Sequence, residues 1–282
     1  IRDRTVTGVQ TCALPISPIP LPVPFKDGTG GIRHASFFQG WLKVYDEDGF
    51  CGQGPASRIM VDFFVPRLLE QGGKTNSEWT HYFWWEIRNF GYQSPYVAEM
   101  FNLDWILLDL LANRAQKPLH RFLGATKDWA SVYKGGGSVL LSDEALLDDL
   151  LRFKSEGFKI TKFKIGGNGN DWSADVRRLE KARLALGDDF GIAVDANQAW
   201  DADTAFEFAK AAAPYNVEWF EEPVHAFDME ALRSLRDQMD NAGISMEIAM
   251  GESVRSYHAH VDYAEHGVDH LQPARLYCLA EI

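Results

Sequence analysis

Four short apolar runs between Lys162 and Glu252 constrain the fold more than any other feature of the chain. They read KFKIGG, AVDANQ, WFEEP and AMGES, each contains a lysine or a carboxylate near its end, and a helical pattern comes after each. The reactive residues Lys164, Asp195, Glu221 and Glu252 lie 31, 26 and 31 residues apart. This rhythm predicts a repeated strand–helix unit. Because the carboxyl ends of parallel barrel strands meet at one face, we expect these side chains to converge on a single site.

The rest of the C-terminal half continues the same alternation. The predicted strands are Ser131–Gly135, Ile160–Ile165, Gly191–Asp195, Val217–Glu221, Met246–Gly251 and Val268–Gln272. A closed barrel of this type needs eight strands, and about six are predicted here. We therefore expect an α/β fold over residues 129–282, namely an incomplete modified TIM barrel of the (β/α)7β type.

The pattern of residues 17–128 predicts an α+β domain, because its strand-like segments precede its helical segments in the sequence. The expected elements are a hairpin of Ser36–Tyr45 and Phe50–Gly54, and helices over Ala56–Gln71, Glu78–Phe90 and Ala98–Gln116. The last helix is too apolar to be exposed. The aromatic cluster Trp79–Trp85 is expected in the core, with an interface as the alternative.

Residues 1–16 (IRDRTVTGVQTCALPI) need separate treatment. They lack an apolar stretch of the length that a signal peptide needs. They resemble the conceptual translation of a sequencing adapter, so we predict a non-native segment and exclude it from the domain assignment. We also expect the chain to be a fragment, with its native start and the end of its barrel missing.

Charge and cysteine usage exclude several classes of function. The chain has 282 residues and a net charge of −12, with 40 acidic and 28 basic residues, which argues against a nucleic-acid partner. The three cysteines, Cys12, Cys51 and Cys278, form no CxxC pair, which favours a reducing compartment such as the cytoplasm. No apolar run reaches the roughly 18 residues of a membrane helix, so no membrane association is expected.

Two lysines stand on the second predicted barrel strand. Lys162 and Lys164 are two residues apart, so they face the same side of the strand. Two buried ammonium groups repel each other, which predicts a lowered pKa for one or both and would allow one to act as a general base. The alternative is that this is an edge strand and that both lysines are exposed to solvent. Lys159, just upstream, is expected to be such a surface residue.

Three carboxylates stand at the ends of the next three strands: Asp195, Glu221 and Glu252. Hard oxygen ligands of this kind suit Mg²⁺, which retains open positions for water or substrate. The alternative is that the three acids are unrelated N-caps of the next helices along the chain.

Neighbouring polar residues leave further choices open. Glu222 is an alternative to Glu221 as the carboxylate of the site. Adjacent strand residues point to opposite faces, so only one of the two can face the site. Asn197 and Ser253 lie close enough in sequence to orient ligands, and Asn197 is our candidate for substrate binding. Residues of these types are also common helix caps.

The series KxK, DAN, EEP, GES and QP resembles the enolase superfamily, and within it the mandelate racemase-like subgroup of the mandelate racemase and muconate lactonizing enzymes. The segment Asp109–Gly124 is also similar to the last helix before that family's barrel. The resemblance implies a capping domain that closes over a modified TIM barrel. It implies Mg²⁺ bound by Asp195, Glu221 and Glu252. It further implies that Lys164 takes the proton alpha to a carboxylate and that Lys162 assists.

Two departures from the family pattern bear on the reaction. The sequence after the sixth strand reads QPARLYCLAEI, with Ala274 where the family has an aspartate and without a subsequent GG pair. This weighs against a Lys/His two-base racemase. The sixth strand also lacks a lysine, which weighs against the muconate cycloisomerase and dipeptide epimerase branches. Five histidines of the C-terminal half match no family role and are expected to be ordinary surface or core residues: His225, His258, His260, His266 and His270.

The leading hypothesis is a Mg²⁺-dependent dehydratase of acid sugars. A racemase or epimerase of a 2-hydroxy acid is the alternative, because it would use every residue named above. A non-catalytic relative is a third hypothesis, favoured by Ala274. The expected partner is a small-molecule carboxylate, and a homo-oligomer is compatible with the sequence. Specificity is expected in the loops near Phe25–His34 and Lys134–Gly137.

Overall fold

The computed structural model describes residues 5–6, 10–15, 20–35 and 40–273. The N-terminal half contains antiparallel strands and then helices, and in the C-terminal half parallel strands alternate with helices. The helices are α1 (Val65–Gln71), α2 (Asn76–Ile87), α3 (Pro95–Arg114), α4 (Leu119–Phe122), α5 (Asp143–Ser155), α6 (Ser173–Leu186), α7 (Ala202–Ala212), α8 (Met229–Asn241) and α9 (Tyr257–Glu265). The strands are β1 (Thr5–Val6), β2 (Gln10–Pro15), β3 (Pro20–Phe25), β4 (Arg33–Ala35), β5 (Gly40–Tyr45), β6 (Cys51–Pro55), β7 (Lys74–Thr75), β8 (Lys134–Gly136), β9 (Ile160–Lys164), β10 (Gly191–Asp195), β11 (Val217–Glu221), β12 (Glu247–Met250) and β13 (His270–Leu271).

The C-terminal strands form one parallel sheet of six strands in the order β8 to β13, so each strand pairs with its neighbours in sequence. Helices connect the strands, as parallel pairing requires. The predicted α/β architecture of an incomplete barrel is confirmed. The strand ends differ from the expectation at both edges, because β8 begins at Lys134 and β13 contains only His270 and Leu271.

The two faces of this sheet have opposite character. Phe163, Val194 and Phe220 are fully buried in the core formed with the surrounding helices. The alternating residues of the same strands carry the lysines and carboxylates, because successive strand residues point to opposite faces. Asp195 is paired in register with Lys164 on one side and with Glu221 on the other.

The N-terminal sheet has the order β2, β5, β6, and α3 packs against it. The predicted hairpin is confirmed by the pairing of Trp41 with Pro55 through Tyr45 with Cys51. Gly52 allows the close approach of α3, because a Cβ at this position would lie 2.0 Å from Ile106 O.

Two expectations for this half require correction. Residues 1–16 are expected to lie outside the domains, but Gln10–Pro15 pairs with β5 and forms an edge of the sheet. The adapter origin of the segment stays a prediction. Asp109–Gly124 is not one helix: α3 ends at Arg114 and the short α4 begins at Leu119, because Pro118 cannot continue a helix.

The aromatic cluster is divided between core and surface. Trp79 and Phe83 are buried and stack with ring centroids 5.5 Å apart. Trp85 is 57% exposed at the other end of the same segment. The expectation of a core location therefore holds for the inward face of α2 and not for Trp85.

A loop of the N-terminal half contacts the ends of the barrel strands. Lys26 N donates to Ser138 Oγ at 2.8 Å, and Ser138 Oγ donates to Lys26 O at 3.0 Å. A Cβ at Gly28 would lie 1.9 Å from Ala196 O, so the loop backbone rests directly on the residue after Asp195. The loop therefore lies beside the carboxyl ends of the strands.

The structure also bears on the expectations about membrane helices and cysteines. Among the described residues, no helix has both the length and the apolar character needed to cross a bilayer. Cys51 has a free thiol. Ala274 and Cys278 lie outside the described residues.

Candidate active site

The structure brings Lys162, Lys164, Asp195 and Glu221 together at the carboxyl ends of β9, β10 and β11. Lys162 Nζ contacts Glu221 Oε1 and lies 2.9 Å from Asp195 Oδ2. Lys164 Nζ lies 2.5 Å from the same Asp195 oxygen. We call these four side chains the lysine–carboxylate cluster. Parallel pairing places their strand ends at one edge, as the sequence predicted.

The cluster is shielded from water. Asp195 is 0%, Glu221 1% and Lys162 8% exposed. Since β9 lies between β8 and β10, it is not an edge strand. The alternative of solvated lysines is therefore wrong for Lys162 and Lys164, whereas Lys159 is exposed as expected.

The ionisation of Lys162 differs from the expectation. Burial alone would lower its pKa, but the negative charges of Asp195 and Glu221 outweigh burial and raise the pKa above the ordinary value. The prediction that repulsion between the two ammonium groups would lower the pKa is therefore wrong for Lys162. Its partners are two buried carboxylates, and attraction across short distances in a poorly solvated site exceeds the repulsion.

The pKa values of the two buried carboxyl groups, Asp195 and Glu221, are shifted in opposite directions. Burial would raise the pKa of Asp195, but Lys162 and Lys164 lower it below the usual range. Burial and the adjacent negative charge of Asp195 raise the pKa of Glu221 more than Lys162 lowers it. Asp195 is thus the more firmly ionised of the two.

Glu252 joins the site through Asn197 and not through direct contact with the other carboxylates. Asn197 Nδ2 donates to Glu252 Oε1 at 3.3 Å, while the Asn197 backbone N donates to Asp195 Oδ1 at 2.9 Å. Glu252 is exposed. Over the part of the chain that the structure describes, no three acidic, histidine or cysteine side chains are gathered as a metal site. Lys162 lies between two of the predicted ligands instead.

The alternative role of the three acids as helix caps does not hold. The caps of α7, α8 and α9 are Asp201, Asp228 and Ser256, whose side chains accept backbone N–H groups at the start of each helix. Asp195, Glu221 and Glu252 precede these caps and are free for other roles.

Glu222 lies just after the end of β11, where a left-handed backbone interrupts the strand alternation, and its side chain contacts Gln198 and Ser253. It is buried, and its Oε1 accepts hydrogen bonds from Ser253 Oγ at 2.6 Å and Gln198 Nε2 at 3.1 Å. Burial raises the pKa of Glu222 to about 7. Ser253 therefore supports Glu222 and neither caps a helix nor faces Asp195.

The histidines correspond to the expected surface and core positions. His225, His258 and His270 are exposed and His266 is partly buried. His260 is buried, and its Nδ1 lies 2.9 Å from Ser256 O in α9.

The contacts that two further residues make with the cluster were missed at the level of sequence. Trp219 Nε1 donates to Glu221 Oε2 at 3.2 Å, and Gln272 Nε2 donates to the same oxygen at 2.7 Å. Trp219 could have been found, because it precedes Glu221 by two residues and shares its face. Gln272 belongs to the QP pair of the motif series, but no local signal indicated its contact with Glu221, since Glu221 is on a strand two places away in the sheet.

A parallel sheet with lysines and carboxylates at neighbouring strand ends, beside a helical and antiparallel domain, defines the class of protein. Residues 145–278 match the family model described as enolase C-terminal domain-like. The chain belongs to the enolase superfamily, in the group of mandelate racemase and muconate lactonizing enzymes.

Individual relatives include several activities. The chain is 33% identical over 177 residues to the L-talarate/galactarate dehydratase of Salmonella typhimurium, covering 62% of this chain and 43% of the relative. It is 32% identical over 222 residues to the 3,6-anhydro-alpha-L-galactonate cycloisomerase of Streptomyces coelicolor, covering 75% of this chain and 60% of the relative. The chain thus spans about half the length of these curated relatives.

A solved structure is similar to a larger part of the chain than either curated relative. A racemase from Streptomyces coelicolor with bound magnesium superposes with a TM-score of 0.80 at 26% identity, covering 93% of this chain and 73% of the racemase. The likeness includes both the N-terminal elements and the parallel sheet.

Proposed function

We propose that the protein removes the proton alpha to a carboxylate with the help of Mg²⁺, and that the overall reaction is dehydration of an acid sugar. The observation that carries this proposal is the lysine–carboxylate cluster. It combines two lysine side chains with buried carboxylates at the site where parallel barrels carry out chemistry. The family membership of the chain supports the same chemistry.

The proposed ligands of Mg²⁺ are Asp195, Glu221 and Glu252. The donor set fits, because Asp195 Oδ2 and Glu221 Oε1 already face one cationic group, the Lys162 ammonium. Asn197 Oδ1 is also a buried acceptor without a hydrogen-bond partner among the described residues. Oxygen donors of this kind suit a hard divalent cation. The related racemase structure with bound magnesium supports the choice of ion.

The two lysines have different roles in this proposal. Bound Mg²⁺ would stabilise the negative charge that develops on the substrate carboxylate as the alpha proton leaves. Lys164 contacts one carboxylate oxygen and takes the proton on Nζ. Lys162 contacts two carboxylates, keeps its proton and contributes a fixed positive charge. Asn197 contacts the substrate from the position between Asp195 and Glu252.

Dehydration and racemisation share this first step and differ in the second. Loss of the β-hydroxyl, which takes up a proton and leaves as water, gives a dehydratase, and this outcome is supported by the relative that is an L-talarate/galactarate dehydratase. Return of a proton gives a racemase or epimerase of a 2-hydroxy acid, which the similar racemase structure supports as the second candidate. Incubation with acid sugars and 2-hydroxy acids, and then NMR of the products, separates the two.

Replacement of the proposed base tests the shared step. Lys164→Ala should abolish exchange of the alpha proton in D₂O, because no other group is proposed to accept it, and should leave Mg²⁺ binding largely intact. Lys159→Ala is the matched control, since Lys159 is an exposed lysine just before the same strand. Exchange would be monitored by ¹H NMR. Unchanged exchange in Lys164→Ala would exclude Lys164 as the base.

Three wider features belong to the same proposal. Residues 17–128 act as a capping domain, residues 129–282 form the catalytic domain, and residues 1–16 are non-native. The loops near Phe25–His34 and Lys134–Gly137 select the substrate, which the contact of Gly28 with Ala196 supports. The protein acts in the cytoplasm on a small carboxylate and forms homo-oligomers.

A further inference from the structure

The two oxygens of the Glu221 carboxylate have different surroundings. Oε1 contacts Lys162 Nζ, which also lies 2.9 Å from Asp195 Oδ2. Oε2 points to the other side and accepts two hydrogen bonds, from Gln272 Nε2 at 2.7 Å and from Trp219 Nε1 at 3.2 Å. One oxygen therefore faces the charged cluster, and the other is held by two neutral donors.

The position of Gln272 depends on a close approach of two backbone segments. Its backbone N donates to Met250 O at 2.9 Å, at the end of β12. The next residue, Gly251, has φ +133°, and a Cβ there would lie 3.0 Å from Gln272 N and 3.1 Å from Gln272 O. Glycine at 251 thus permits the contact that places the Gln272 side chain over Glu221. Because a carboxylate only accepts hydrogen bonds, the Gln272 amide must present its NH₂ to Glu221.

The direction of the Trp219 indole is set by its neighbours. Its ring makes an edge contact with Tyr133 at 5.1 Å between centroids and lies 5.8 Å from the ring of His270. Aromatic contacts of this kind restrict ring rotation. The N–H is therefore held toward Glu221 Oε2, two residues further along the same face of β11.

We propose that Trp219 and Gln272 are positioning residues that hold Glu221 by Oε2, so that Oε1, the oxygen that contacts Lys162, is directed into the site beside Asp195 Oδ2. The inference rests on the proposed function, since it assigns Oε1 as the atom through which Glu221 would hold the divalent cation. A carboxylate that is held in one orientation binds a metal ion more tightly than one that must be ordered on binding. Outer partners of metal ligands commonly change affinity by about 10- to 100-fold.

Metal binding by the 282-residue chain tests the inference without reference to turnover. Mn²⁺ serves as the probe, and free Mn²⁺ is measured by electron paramagnetic resonance. Gln272→Met removes the shorter hydrogen bond and should raise the Kd for Mn²⁺ about tenfold or more. Trp219→Phe keeps an aromatic ring beside Tyr133 and His270, removes the longer hydrogen bond and should raise the Kd less. The double variant should exceed both.

Two matched controls remove the same chemical groups elsewhere. Gln238→Met removes a side-chain amide that donates to Asp203 and Ser234 on the surface. Trp200→Phe removes an indole N–H that donates to Gly169 O at 2.6 Å. Both controls should keep the Kd for Mn²⁺ within about twofold of the parent chain, because neither group contacts the Glu221 carboxylate.

Urea unfolding of every variant separates positioning from a purely structural role. Lower stability with an unchanged Kd for the folded molecules would overturn the inference and leave the proposed function standing. Absence of Mn²⁺ binding by the parent chain would overturn both. A raised Kd in Gln272→Met and Trp219→Phe, with the controls unchanged, supports the inference.

Discussion

At the scale of single residues, the site depends on backbone conformations that L-amino acids rarely adopt. Asn197, Gln198 and Glu222 have φ values of 45°, 65° and 41°. Each left-handed residue costs about 1–2 kcal/mol, so other contacts must hold it. The Gln198 backbone N donates to Glu222 O at 2.7 Å, and the Asn197 backbone N donates to Asp195 Oδ1. These bonds turn the chain sharply after β10 and β11 and direct Asn197 toward Glu252.

Gly137 provides a test at this scale. It has φ +68°, a Cβ there would lie 2.4 Å from Phe163 Cβ, and its carbonyl accepts from Lys164 N at 3.0 Å. Gly137→Ala should lower the free energy of unfolding by about 2–5 kcal/mol, from backbone strain and overpacking together. Gly187→Ala is the control: φ is +79° but no atom lies within 4 Å, so about 1–2 kcal/mol is expected. Urea titration measures both, and equal losses would contradict the role of the Phe163 contact.

At the scale of elements, Arg183 joins the end of α6 to the segments before β10 and β11. Its guanidinium donates to four backbone carbonyls, those of Gly187, Phe190, Tyr215 and Asn216, at 2.6–2.9 Å. Burial lowers the pKa of Arg183 from its usual value. A planar group with five N–H donors satisfies all four carbonyls at once, which lysine could not do. The two strands that carry Asp195 and Glu221 are thereby anchored at their starting ends.

Removal of this anchor should be costly. Arg183→Met would leave several partly buried carbonyls without a donor and should lower the free energy of unfolding by about 3 kcal/mol or more. Arg177→Met on the same helix should change it by less than about 0.5 kcal/mol, because the Arg177 side chain is 58% exposed. Thermal unfolding monitored by circular dichroism would show the difference. Similar losses in both variants would indicate that the four contacts do not stabilise the fold.

At the scale of the whole molecule, the candidate site joins segments that are far apart in sequence. β9, β10 and β11 supply the lysine–carboxylate cluster, β13 leads into Gln272, and the Lys26–Gly28 loop of the N-terminal half lies against Ala196. Gln93 Nε2 from the same half donates to Ser253 O at 3.3 Å. A ligand bound among these segments would therefore stabilise the folded molecule as a unit.

This arrangement links metal binding to folding. Mg²⁺ at about 100 times its Kd should raise the free energy of unfolding by about 2.7 kcal/mol, since the unfolded chain does not assemble the ligands. Glu252→Gln should reduce this gain at the same Mg²⁺ concentration, because an amide is a weaker ligand than a carboxylate. Glu230→Gln, at an exposed position of α8, should retain the full gain. Equal stabilisation of Glu252→Gln and the parent chain would exclude Glu252 as a ligand.

Much of the fold and part of the site can be predicted from the sequence alone. Apolar runs of strand length, each succeeded by a helical pattern, were sufficient to predict the parallel sheet and the convergence of Lys162, Lys164, Asp195 and Glu221. They were sufficient because parallel strands end at one edge and because side chains alternate between faces.

Other properties were decided only by the tertiary structure, because they depend on distances between residues remote in sequence. Lys162 has a raised pKa since it contacts Glu221, 59 residues away, and Asp195, and only the distances in the folded chain show that these attractions outweigh the repulsion from Lys164. The pairing of Gln272 with Glu221 spans 51 residues and needs the close approach at Gly251. The strand formed by Gln10–Pro15 likewise depends on its partner β5. Local patterns specify which face a side chain occupies, whereas charge, hydrogen bonding and pairing are determined by the groups that the folded chain places opposite it.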